Sequence, residues 1–243
     1  MAMHWDYAAI LLFLGVVAPT MGYFRVRRLL LIPSTTSMER LALYASTIAF
    51  QWVIVGAIVW RTATHRVAPD QLGLVMRDGE LTASVAIVLS LVVLANQIFS
   101  VRRLAANPQQ IKGMIVQMAL KIFPQGLVEQ LAFVALVITV AICEELIYRG
   151  FMQGLFQSIG GSAIAGIVGS AVFFAAAHVY QGRRGLISTL IVGLLFATVR
   201  WWTGNLVPSM CAHFVADLAA GLYAPGKLRA ALSSGSHESE SIP

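Results

Sequence analysis

Cys143-Glu144-Glu145-Leu146-Ile147-Tyr148-Arg149 sets two adjacent carboxylates and a guanidinium in the most apolar part of the chain. Leu131 to Ile142 precedes it, and Gly150 to Ala177, which carries no charge, follows. A charged side chain inside a bilayer costs at least a few kcal/mol, so such groups are normally paired and functional. On a helix Glu145 and Arg149 lie four apart and share a face, so they can pair. Glu144 points about 100° away from Glu145 and is the carboxylate left over. A structural ion pair accounts for Glu145 and Arg149. It leaves Glu144 unexplained.

The composition around this stretch sets the fold class. Of 243 residues, 58% are hydrophobic and 12% charged, against about 25% charged in a soluble domain. The expectation is an all-α, polytopic transmembrane bundle of about seven spans. At about 20 residues per span, these fall near 7–24, 41–60, 81–101, 127–157, 163–180, 186–202 and 207–223. The fourth, fifth and seventh carry the ionisable groups. The fourth is either continuous from Leu127 to Gln157 or broken at Gly150, with a turn at Ser158 to Ser162. Pro69-Asp70, Asp78-Gly79 and Asn107-Pro108 mark connectors, and Pro225-Gly226 ends the last span. Lys112 and Lys121 sit on an interfacial helix; Gln71–Leu74 and Ile115–Phe123 read as packing segments. The division expected is helices and connectors over 1–126, a catalytic core over 127–224, and a Ser-rich disordered cytoplasmic tail over 225–243.

A net charge of +6 in a soluble chain would point to nucleic acid; here the basic residues gather in loops. The partner implied is the lipid bilayer, and no nucleic acid. With the N-terminus outside, 12 of the 17 Lys and Arg fall in cytoplasmic stretches, which supports N-out and C-in for a multi-pass plasma-membrane protein. Cys143 and Cys211 lie in apolar segments and form no secreted disulfide scaffold. Asp6, with no Lys or Arg before the first apolar run, does not suit a cleaved signal peptide.

Further polar groups lie in the second half. His178 ends the run from Phe174, and His213 and Asp217 are four apart on one helix face. Depth follows from 1.5 Å per residue. Glu144 lies roughly 24 Å before the turn at Gly160 and His178 roughly 27 Å after it. Asp217 lies roughly 20 Å beyond the turn at Gly204. The five groups can therefore meet in one layer, whereas unrelated structural residues would scatter in depth. Each alone has a plain structural reading: a packed histidine for His178, a hydrogen-bonded pair for His213 and Asp217. His4, His65 and His237 lie at a terminus, a loop and the tail and receive no role. Asn96, Gln97 and Gln130 read as interhelical hydrogen bonds, and Glu129 as solvated at a span's start.

A carboxylate and an imidazole at one point suit general-base activation of water. A second His and an Asp opposite them could serve an oxyanion, as donors only. No Ser lies in a Gly-x-Ser-x-Gly setting. A Cys143 or Cys211 thiol is disfavoured by apolar burial, which makes thiols inert. A metal site is the rival: Glu144, His178 and His213 are zinc-ligand types, although no His-Glu-x-x-His occurs.

Glu144-Glu145 with Arg149, then Phe174 with His178, then His213 with Asp217 resemble the three motifs of the CAAX prenyl endopeptidase family, also called CPBP or ABI intramembrane proteases. The match runs in order over about Leu127 to Leu222. The resemblance implies an intramembrane endopeptidase acting on hydrophobic or lipidated peptides, prenylated tails among them, that enter sideways from the bilayer. It implies that Glu144 polarises the attacking water with help from His178. Glu145 would orient the site with Arg149 and Phe174 in support, and His213 with Asp217 would stabilise the oxyanion. Much of the family has Asn where Asp217 stands; an ionised Asp cannot donate, so Asp217 must be protonated or orient His213. No cofactor is expected under the glutamate mechanism, and a divalent zinc under the older metal-dependent one. The compact chain resembles bacterial or archaeal members. Two other classes stay open on the sequence alone: a non-catalytic bacteriocin-immunity or scaffold protein, and a proton-coupled carrier built on the same buried acids.

Overall fold

Polar side-chain caps open three of the helices, and left-handed glycines stop two. In the computed structural model, which describes residues 2–107 and 114–240, the helices are α1 Trp5–Leu31, α2 Ser37–Thr64, α3 Gly79–Ala105 and α4 Met114–Ile122. They continue as α5 Leu127–Gly160, α6 Ala163–Ala177, α7 Gly182–Thr203 and α8 Val207–Glu240. Among the described residues there is no strand. The Thr36 hydroxyl accepts from the Glu39 N–H at 3.2 Å while Glu39 accepts from the Thr36 N–H at 2.7 Å, a capping box that opens α2. Asp78 caps α3 through the Leu81 N–H (2.9 Å), and Ser162 caps α6 through that of Ala165 (3.2 Å). Gly161 (φ 64°) and Gly204 (φ 72°) terminate α5 and α7 in a conformation that L side chains resist.

The chain is a multi-pass membrane protein by the pattern of its surface. α1, α2, α3, α5 and the segment Val179–Thr203 are long and apolar enough to cross a bilayer; α6 is apolar but shorter. Val53, Trp60, Ile87, Val88 and Leu91 are exposed, while Arg40, Gln51, Glu129, Glu145, Arg149 and His213 are buried. Lipid tolerates the first set outside, and the second must find partners inside.

Two parallel helix pairs frame the interior. α2 and α5 meet in ascending order at Arg40–Glu129, Tyr44–Phe133 and Gln51–Glu144. α3 and α8 do the same, from Thr82 with Asn205 just ahead of α8, to Leu89 and Val93 with Ala212, then Val101 with Ala224 and Leu228. α6 forms antiparallel hairpins with α5 before it and α7 after it. Small residues set their spacing. A Cβ on Gly166 would stand 2.8 Å from the Gln153 carbonyl oxygen of α5, and one on Gly193 3.3 Å from Ala171. Backbone cannot step aside, so Gly166→Ala is expected to destabilise by about 1–3 kcal/mol through overpacking, read as a lowered unfolding midpoint in detergent. The connector before α3 folds back onto this hairpin: Leu72 is buried against Leu206 and Phe151, and the Leu206 N–H donates to the Gly73 carbonyl at 3.0 Å.

Several expectations are revised. α1 does not stop at Phe24 but runs to Leu31, since basic residues leave lipid without breaking a helix; Lys121 Nζ then bonds the carbonyls of Leu29, Leu30 and Ile32. Of the two readings of the fourth span the continuous one holds: α5 runs through Gly150, with a π turn over Leu146–Met152. Glu129 is not solvated: Arg40 grips both its oxygens at 2.7 and 2.9 Å, each side chain 5% exposed. Asn96, Gln97 and Gln130 make no side-chain hydrogen bonds among the described residues; Asn96 and Gln130 lie on outer faces. α8 passes through Pro225 instead of ending there, because Ala224 and Leu228 pack on Val101 and Val116. The segment expected as a disordered tail is thus helical to Glu240. Pro108, Lys112 and residues 241–243 lie outside the described residues.

Candidate active site

The helical register around Glu144 decides what each carboxylate can do. Glu145 turns into the bundle at 0% exposure, and its Oε1 accepts from Arg149 Nη1 at 2.8 Å and bonds His213 Nδ1 at 2.9 Å. The π turn begins at the next residue, Leu146. Such turns insert one extra residue per turn and are frequent at functional sites. Every residue from Leu146 to Met152 is buried, so this turn lies wholly inside the bundle.

Glu144 faces a different neighbour. Its Oε1 accepts from Gln51 Nε2 on α2 at 2.9 Å. Its Oε2 is buried without a hydrogen-bond partner and lies 3.9 Å from His213 Nε2. Asp217 Oδ2 lies 3.6 Å from the same nitrogen, and the Asp217 side chain is 39% exposed. His213 therefore sits among three carboxylates: Glu145 at Nδ1, Glu144 and Asp217 about Nε2. A carboxylate can only accept, so Nδ1–H donates to Glu145, and Nε2 is the nitrogen left for a reacting group.

His178 joins the cluster differently. α6 stops at Ala177, and His178 follows the last helical residue. Its Nδ1 donates to the Phe174 carbonyl at 2.8 Å, which leaves Nε2 as an acceptor. No hydrogen bond or ion pair joins His178 to Glu144 among the described residues. The link is the Phe174 ring, 2% exposed, whose centroid is 4.7 Å from the His178 ring and 6.0 Å from that of His213. The Arg149 guanidinium lies 4.0 Å from the same centroid and 5.4 Å from that of Phe196. One aromatic ring thus spaces two imidazoles and the buried cation.

Two groups in this site carry no charge and escaped notice in the sequence. Gln51 is a lone amide midway along an otherwise apolar span, and a buried amide in lipid needs a partner. Phe196 lies 6.0 Å from the His213 ring, on α7. Cys143 is buried in the apolar cluster with Tyr148, Phe151 and Leu155, while Cys211 is exposed. Among the described residues no three His, Cys, Asp or Glu side chains converge as a metal-holding group. His213 has Nδ1 committed to Glu145, and His178 has Nδ1 committed to a carbonyl.

Residues 125–219 match the family model described as "Type II CAAX prenyl endopeptidase Rce1-like". Over this segment the chain resembles the Rce1-like, CAAX-type family. The Rce1-like segment holds Glu144, Glu145, Arg149, Phe174, His178, His213 and Asp217; Gln51 comes from outside it. The chain is also similar to the "Uncharacterized protein YpbD" of Bacillus subtilis (strain 168), 29% identical over 99 residues. That alignment covers 40% of this chain and 47% of YpbD, so the chain spans about half the length of that relative. No solved structure matches the chain.

Proposed function

We propose that the protein is an intramembrane endopeptidase that hydrolyses peptide bonds in hydrophobic or lipidated substrates, prenylated CAAX-type tails being one class. The observation that carries this reading is the free, buried Glu144 Oε2 facing His213 Nε2 at 3.9 Å, inside the Rce1-like segment. Glu144 Oε2 takes a proton from water as the water oxygen bonds to the scissile carbonyl carbon. The carbonyl oxygen gains the negative charge. A proton on His213 Nε2 would face it, with Nδ1 anchored on Glu145. The C–N bond then breaks, and the proton held by Glu144 passes to the leaving nitrogen. The products are a new carboxyl terminus and a free amine. His178 Nε2, an acceptor by virtue of its Nδ1 bond, can receive the second hydrogen of the water and orient it. Asp217, beside Nε2, orients the imidazole.

The test is incubation of the protein in liposomes with prenylated and unmodified tail peptides, read by mass spectrometry. Truncated peptide is expected from wild type. His178→Ala and His213→Ala are each expected to lower the rate by about 10²-fold or more, with the unfolding profile retained in His178→Ala and the midpoint lowered in His213→Ala, which strips a partner from the buried Glu145. No product from any peptide, or wild-type rates in both histidine variants, would reject the reading.

A further inference from the structure

Gln51 interrupts the apolar run Ala49-Phe50-Gln51-Trp52-Val53. Its neighbours Phe50, Trp52 and Val53 are 41%, 46% and 69% exposed, whereas Gln51 is 9% exposed. α2 therefore presents one polar side chain to the interior at this level, and what it meets is Glu144.

The register of that meeting is fixed from both helices. Arg40 holds Glu129 through two hydrogen bonds, the Tyr44 and Phe133 rings pack edge to face 5.7 Å apart, and Trp52 Nε1 reaches Thr139 Oγ1 at 3.4 Å. α2 cannot slide along α5 without breaking all of these. The Gln51 amide is thus delivered to one oxygen of Glu144 by a rigid helix pair.

The consequence is chemical. A carboxylate has two equivalent oxygens and a free terminal torsion. Here Nε2 of Gln51, which can only donate, occupies Oε1. Oε2 alone is left, buried and turned to His213. An amide does not titrate, so its hold persists while Glu144 gains and loses a proton. Gln51 Oε1 is itself buried and without a partner, so that end of the amide is not spent on another contact.

We propose that Gln51 is a positioning residue for the peptidase reaction: it pins Oε1 of Glu144 so that Oε2 is the oxygen presented to the water and to His213. This rests on the endopeptidase reading above. It also gives the helices ahead of the Rce1-like segment a part in the chemistry, since α2 lies outside residues 125–219.

The test uses the full chain in liposomes. Gln51→Met keeps the length and removes the donor; Gln51→Asn keeps an amide but falls one methylene short of Glu144. Both are expected to lower kcat by about 10- to 100-fold, the scale of a lost near-attack alignment, with KM within about twofold and the unfolding midpoint unchanged. A merely structural role would move the midpoint and spare kcat. As a readout independent of cleavage, the infrared carboxyl band of Glu144, assigned as the band lost in Glu144→Gln, is expected to shift in both Gln51 variants. Wild-type kcat in either folded variant, or an unmoved Glu144 band, overturns the proposal. Absence of cleavage by wild type with a shifted band would sink the peptidase reading and leave the Gln51–Glu144 contact established.

Discussion

Glu144→Gln is expected to lower peptide hydrolysis by about 10²- to 10⁴-fold, the range for loss of a positioned general base, while the protein still inserts and folds. The substitution is nearly isosteric. Its amide can still meet Gln51 through one atom, but the position of Oε2 no longer holds a group able to take a proton. Glu144 is not part of the buried ion pair, which Glu145 makes with Arg149 and His213. Stability should therefore change little, by less than about 1 kcal/mol, as for one modest hydrogen bond. Rate by mass spectrometry and unfolding in detergent, measured on the same preparation, check both halves. A polar cluster that only braces helices would give no change in either.

Arg149→Ala is expected to have the opposite profile: a loss of about 3–5 kcal/mol of stability, the cost of breaking a fully buried ion pair from one side. Arg149 and Glu145 are both 0% exposed, and the guanidinium is stacked on Phe174. Removing it leaves the Glu145 carboxylate with His213 as its single described hydrogen-bond partner. It also opens a hole beside the Phe174 and Phe196 rings. Replacing both members, as Glu145→Gln with Arg149→Met, removes the stranded charge and should recover part of the loss. Unfolding midpoints of the two single variants and the double variant form the cycle. Arg149→Ala within about 1 kcal/mol of wild type would refute the assignment of this pair as the structural centre of the site.

Much of this arrangement could be read from residue spacing alone. The 100° step between successive residues separates a paired Glu145 from a free Glu144, and the ion pair formed is the one that spacing indicates. Helix rise places Glu144, Glu145, His213 and Asp217 at one level, and their side chains lie within 4 Å of the His213 ring nitrogens. His178 fits less simply. α6 ends one residue earlier, so this imidazole lies beyond the helix and reaches the rest through Phe174.

What stayed hidden was of two kinds. Gln51 and Arg40 meet residues 93 and 89 positions away, and such pairings depend on which helices become neighbours. Reading Glu129 as solvated followed from its place at a span's start, with its partner unseen. The π turn over Leu146–Met152 is a shift in backbone hydrogen bonding that no side chain announces. At Pro225 local propensity indicated a stop, and packing of Ala224 and Leu228 on α3 prevailed.

The central claim is that a carboxylate buried among helices activates water for peptide hydrolysis. Cleavage of a tail peptide in H₂¹⁸O by the liposome-bound protein, beside Glu144→Gln, tests it most directly. The expected result is a truncated peptide from wild type whose new carboxyl terminus carries ¹⁸O, and almost none from the variant. Product accumulating from Glu144→Gln at near the wild-type rate would contradict it.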